Sequence, residues 1–185
     1  MPNAQRRQPR QARALATRAA IFEATTQILE TEGEAGFNTN RVAERAGVSV
    51  GTLYQYFGSK QAILAAMARE ENARNRAALA AHVRAGGDSP VRLAIRNQIH
   101  ALAGRPATRR AALKAIMAEE GVEGLARETR AATRLLPRMD PFDAFVLDRA
   151  VTGVIRAAVL EQSPHLTDPR LEDVLVRLVE RFTAD

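Results

Sequence analysis

Gly47 stands between two short stretches of helical spacing, Thr39–Ala46 and Val50–Phe57, and no other feature restricts the fold as much. Two helices joined across one glycine must pack against each other at once. The surrounding residues suit that demand. Small Ala43 permits close approach, Gly47 supplies a turn conformation, and Val42, Val48, Leu53 and Phe57 form an apolar seam. Asn38 can cap the first of the pair, with Phe37 before it and Val42 beyond it placed as a hydrophobic staple. Ser49 can cap the second. Gly58-Ser59 then makes a stop and a new cap, from which a further helix runs through Ile63, Leu64 and Met67.

Ahead of this pair, helical spacing begins at Ala12, continues through Leu15, Ala19, Ile21, Phe22, Thr25 and Ile28 or Leu29, and ends at Gly33 and Gly36. Three helices thus share the segment 12–65. Beyond it the spacing predicts helices near 61–84, 90–103, 107–119, 122–136, 141–162 and 168–183, punctuated by glycine and proline, with Asp168 as the cap of the last. No strand is predicted. With 46% hydrophobic residues, 4% aromatics and no Trp, the core must be built from Ala, Leu, Val and Ile on helices.

The helix after Gly47 exposes Val50, Gly51, Thr52, Gln55 and Tyr56, flanked by Tyr54 and Lys60, and carries no acid. Such a face suits a DNA major groove. Tyrosine and threonine hydroxyls and Lys60 can hold phosphates, Gln55 can pair with a base edge, and Val50 can meet a thymine methyl. By spacing alone, a purely structural helical hairpin fits the same residues.

The longer run from Thr39 to Lys60, TNRVAERAGVSVGTLYQYFGSK, closely resembles the signature of the TetR family of bacterial regulators. The resemblance extends upstream to Ile21, Phe22 and Gly33. It implies an all-α protein: an N-terminal three-helix helix-turn-helix DNA-binding domain followed by a helical ligand-binding and dimerisation domain. It implies also that Thr39, Tyr54, Tyr56 and Lys60 hold phosphates while Val50, Gly51, Thr52 and Gln55 face the groove, with Ser49 among the DNA-contacting set. Gly51 near a helix start costs helical stability but lets the backbone approach a duplex closely.

For the remainder the resemblance is to the family's architecture alone. It implies a ligand chamber and a four-helix interface between two copies. In 141–162, Ala150, Gly153, Val154, Ala157 and Leu160 can form a closely packing stripe; in the last helix Leu171, Val174, Leu175, Leu178, Val179 and Phe182 form another. Both stripes serve equally as core within one chain. Met67, Asn97, His100 and Met117 are candidate chamber residues, each of which also reads as an ordinary core or surface side chain.

The charge is uneven. Of a formal +6, Arg6, Arg7, Arg10, Arg13 and Arg18 all precede the first acid, Glu23, so residues 1–11 read as a basic flexible arm ahead of the domains 12–65 and 66–185. The absence of cysteine removes disulfides, Cys-type zinc sites and thiol catalysis. The three histidines lie on separate helices, no metal-ligand spacing or phosphate loop occurs, and no cofactor is expected. An enzyme is therefore not expected. No apolar run is long enough to span a bilayer, and a cytoplasmic location is expected. The expected activity is a repressor that binds a palindromic double-stranded operator as a homodimer and leaves it when an unknown small molecule binds; an architectural DNA-binding protein, or a regulator without a small-molecule ligand, is the alternative.

Overall fold

The computed structural model describes residues 4–85, 89–103, 105–133 and 139–184. Eight α-helices appear among them: α1 (Ala4–Gly36), α2 (Thr39–Arg45), α3 (Val50–Tyr56), α4 (Lys60–Arg84), α5 (Pro90–Ala103), α6 (Pro106–Thr133), α7 (Pro141–Leu160) and α8 (Arg170–Phe182), with a 3-10 turn at Pro164–Thr167. No strand occurs among the described residues. The boundaries follow the local chemistry read above. Gly33, at φ 68°, breaks α1 near its end, and Gly121, at φ 61°, breaks α6 where separate helices near 107–119 and 122–136 are predicted.

Two details differ. Helical backbone begins at Ala4, within the segment read as a flexible arm, because Ala, Gln and Arg there are strong helix formers. The side chains of Arg6, Arg7 and Arg10 lie outside the described ones, as do Gly86, Gly87 and residues 134–136 altogether. At the last helix Asp168 accepts from the Arg170 N–H at 2.9 Å, but from one position ahead of the assigned cap, Pro169.

Two hydrophobic clusters organise the chain. The first gathers Ile21, Ile28 and Leu29 of α1, Val42 and Ala43 of α2, Leu53 of α3 and Ile63, Leu64, Ala65 and Ala68 of α4, and then extends onto Ala111, Ala112, Ala115 and Ile116 of α6. The second joins Ile95 of α5, Leu147, Val151 and Ile155 of α7, and Leu175, Val176 and Val179 of α8, with Leu113 of α6 packed against it. Alanines on α4 and α6 let these two helices pack closely. The division at 65/66 therefore falls inside one helix and inside one core, and α6 is a wall shared by both clusters.

Polar contacts reinforce the same arrangement. Glu30 of α1 accepts from the Thr108 N–H at 2.9 Å and from its hydroxyl at 2.7 Å, Arg105 donates to Thr26 at 3.4 Å, and Lys114 pairs with Glu34 at 2.8 Å. Arg109 of α6 is buried and pairs with Glu71 of α4; burial pushes its guanidinium down to about 10. At the other end, Arg96 and Arg92 of α5 reach Glu172 of α8 at 2.9 and 3.0 Å. Arg96 holds the Glu172 carboxyl below its ordinary 4.5, burial opposes the shift, and Arg92 adds to it.

A lowered carboxylate has a definite consequence for acid stability. The folded state binds the Glu172 proton less readily than the unfolded chain, so this contribution is present above the ordinary glutamate value and lost as pH falls through the folded one. Thermal melts from neutral to acid pH should show the advantage of the wild type over Glu172→Gln shrinking across that window. An advantage independent of pH would show that the pairing does not act through charge.

Candidate nucleic-acid interface

The turn between α2 and α3 has the geometry its glycine allows. Gly47 sits at φ 68°, its N–H donates to the Glu44 carbonyl at 3.1 Å, and the Val48 N–H donates to Ala43 at 3.0 Å. Each flanking helix is capped as its sequence indicates. Asn38 accepts from the Arg41 N–H at 3.0 Å, Ser49 from Thr52 at 3.0 Å and Ser59 from Ala62 at 3.0 Å. Phe37, Val42, Leu53 and Phe57 are buried, which locks α3 with one face inward and the other outward.

The outward face holds Val50, Gly51, Tyr54 and Gln55, all exposed, with Thr52 half-buried beside them and no acid on α3. The Thr39 and Tyr54 hydroxyls lie 3.2 Å apart across the α2–α3 joint. Lys60, at the start of α4, places its ammonium 5.9 Å from the Phe37 ring centre, next to the entry of α2. Two of the four residues read as phosphate ligands, Thr39 and Tyr54, thus meet directly. Tyr56 stands apart: half-buried, it packs beside Phe57 at 6.4 Å between ring centres. Ser49 is engaged as the cap, and its hydroxyl also meets that of Thr52 at 2.8 Å.

Nothing within the chain requires glycine at position 51. A Cβ there would meet only the Ser49 hydroxyl, at an ordinary 3.8 Å, and the backbone is not left-handed. Gly51→Ala should therefore stabilise the fold, by up to about 1 kcal/mol, because alanine is the better helix former. Duplex affinity should fall at the same time if the bare backbone is what approaches DNA. Denaturant melts and duplex titration of this variant read the two effects separately; unchanged affinity would remove Gly51 from the contact surface.

Residues 21–67 match the model of the bacterial regulatory proteins of the tetR family. That match spans the second half of α1, the α2–α3 pair and the start of α4. Solved structures share the fold of the chain over most of its length. A TetR transcriptional regulator from Rhodococcus sp. RHA1 is 19% identical, with TM-score 0.63, over 92% of this chain and 97% of that one. A TetR-family transcriptional regulator from Streptomyces coelicolor is 19% identical, with TM-score 0.64, over 91% and 98%. Thermus thermophilus FadR, a TetR-family repressor solved in complex with lauroyl-CoA, is 17% identical, with TM-score 0.62, over 90% and 93%. No curated protein matches the chain.

Outside the α2–α3 unit, the four candidate chamber residues lie on α4, α5 and α6. Met67 packs against the first cluster, Asn97 is half-buried on α5, His100 is exposed, and Met117 is 45% exposed on α6. A cleft of about 610 Å³ opens between α1 and α4, lined by Arg18, Tyr56, Phe57, Ala66, Arg69 and Glu70 among others, and none of the four reaches it. Among the described residues, no three His, Asp or Glu side chains come together as a metal site, and no helix is long and apolar enough to cross a membrane.

The α7 and α8 stripes divide between inside and outside. Gly153, Val154, Leu160, Val174 and Leu178 are exposed, Ala157 and Leu171 are half-buried, and Phe182 is exposed at the end of α8. Leu175 corrects the sequence reading: it is 2% exposed and belongs to the second cluster of its own chain. The stripe on α8 is wider than one interface needs, so its Leu175, Val176 and Val179 edge turns inward while Val174 and Leu178 remain outside. The sequence reading also passed over the α1 side chains that meet α6. Their spacing at Glu23, Thr26, Glu30 and Glu34 was the available signal, since it places them along one side of a helix.

Proposed function

We propose that this chain is a TetR-family regulator, a repressor that binds a palindromic operator as a homodimer and is released by a small molecule. The observation that carries the DNA-binding part is the exposed, acid-free face of α3 flanked by the Thr39–Tyr54 pair and Lys60. In this reading Thr39, Tyr54, Tyr56 and Lys60 hold phosphates, while Val50, Gly51, Thr52 and Gln55 lie in the major groove. One helix of seven residues reads few base pairs, so discrimination calls for two heads, and a two-fold dimer imposes a pseudo-palindrome on its site. The exposed apolar residues of α7 and α8 are the surface for that pairing.

A small-molecule effector is supported by the architecture shared with Thermus thermophilus FadR, whose complex holds lauroyl-CoA. In this chain the contacts of α6 with both α1 and α4 give an effector a route to the reading head. Operator DNA should then weaken effector binding by the factor with which the effector weakens operator binding.

Titration of cognate and mismatched duplexes at several salt concentrations tests the head. Gln55→Ala should lose about 1 to 3 kcal/mol of discrimination at one or two base positions. Lys60→Ala should weaken every sequence alike and reduce the salt slope by about one unit. Equal losses on all sequences for Gln55→Ala would take it out of the groove. A wild type that separates cognate from random duplex by less than roughly a thousandfold would favour an architectural protein.

A further inference from the structure

Glu32 ends the regular part of α1, one residue before the break at Gly33, and takes two arginines from α2. Arg41 pairs with one carboxylate oxygen and Arg45 with the other, at 3.3 Å for the second. Both guanidinium groups are substantially exposed, whereas the Glu32 side chain is mostly covered. Ion pairs of this exposure contribute little to stability. Their effect on the field around the reading head is larger, because one carboxylate offsets one of two positive charges on α2 and tethers both.

Gly36 packs directly against Glu32. A Cβ at Gly36 would stand 2.6 Å from Glu32 Cβ and 2.7 Å from its Oε2, closer than real contacts allow. The Gly36 backbone is not left-handed, so glycine is required there by space and not by conformation. Any larger residue must shift the backbone between positions 32 and 36, because Glu32 Cβ cannot move away by rotation of its own side chain.

We propose that Glu32 is a specificity-determining residue that acts through Arg41 and Arg45. It keeps both arginines turned to the α1 side of α2, so that they add no sequence-independent phosphate contacts beside the α3 face. Non-specific affinity is almost wholly electrostatic and scales with the phosphates neutralised. Specificity is the ratio of cognate to non-specific binding, so restraining two cations near the groove raises it without any base contact. The inference rests on the DNA-binding reading above.

The test measures the salt dependence of binding to a random-sequence duplex, which requires no knowledge of the operator. Glu32→Gln should bind this duplex more tightly than wild type, with a slope steeper by about one to two units, since each new phosphate contact adds about 0.9. Arg41→Gln with Arg45→Gln should leave the wild-type slope unchanged but return the Glu32→Gln slope to the wild-type value. A merely structural Glu32 would lower affinity without steepening the slope. Glu32→Ala removes the carboxylate without leaving an amide in its place, and should steepen the slope in the same direction even if Glu32→Gln proves unstable. An unchanged slope in Glu32→Gln or Glu32→Ala, or an equal loss from the arginine pair in both backgrounds, would overturn the proposal. A wild type that binds no duplex at all would instead overturn the DNA-binding reading itself.

Discussion

Val174→Glu combined with Leu178→Glu is expected to yield a folded monomer with operator affinity at least about a hundredfold below wild type. Both side chains are exposed in the single chain, at 49% and 39%, so glutamate at either position is solvated and the second core is undisturbed. In a two-fold interface each residue counts twice. Fully burying a valine or leucine side chain stabilises by about 1.5 to 3 kcal/mol, and less than half of each is left to bury, so four lost burials remove on the order of 3 kcal/mol before the cost of facing four carboxylates is added. Light scattering and operator titration check the two halves of this expectation. Leu175→Ala makes the contrast: it should lower the melting temperature, at a cost of about 2 to 5 kcal/mol, because Leu175 lies in the core of its own chain. A wild-type monomer at micromolar concentration, or a double variant that still dimerises, would place the interface elsewhere.

The second large effect is expected at the α4–α6 joint. Glu71→Gln leaves the Arg109 guanidinium buried without its counter-charge, and breaking a buried pair from one side costs about 3 kcal/mol or more. Glu71 itself is partly exposed, so the reverse change, Arg109→Met, leaves a carboxylate that water can reach and should cost less. Combining the two should recover much of the loss from Glu71→Gln, since no unpaired charge then remains inside. Chemical denaturation of the three variants measures this order. If Glu71→Gln is no worse than Arg109→Met, the buried guanidinium finds other compensation and the pair is not what joins the helices.

The reading head was legible in detail because its determinants are local. Gly47, Asn38, Ser49 and Ser59 act within one turn of where they stand, and the Val42, Leu53 and Phe57 part of the seam follows from residues a turn apart or across a single joint, while Val48 of the same seam is only half-buried. The C-terminal helices were legible as helices for the same reason. Their partners were not, since an amphipathic stripe states that a face is covered without stating by what. Leu175 and Leu178 are three residues apart on one stripe, yet one is core and the other is surface. The candidate chamber residues carried still less information, and Met117 lies exposed on α6.

What the sequence by itself determined is the all-helical fold, the helix-turn-helix and its acid-free outer face, because short-range spacing, capping and turn chemistry specify these before any distant contact forms. Only the tertiary structure decided that α6 belongs to the head's core as much as to the second cluster, that Glu30 receives Thr108 and Glu71 receives Arg109, and that Glu32 holds two arginines. Most of these contacts join residues dozens of positions apart. Their partners are selected by how helices of given length and surface shape pack together, and that selection is written in no single stretch of the chain.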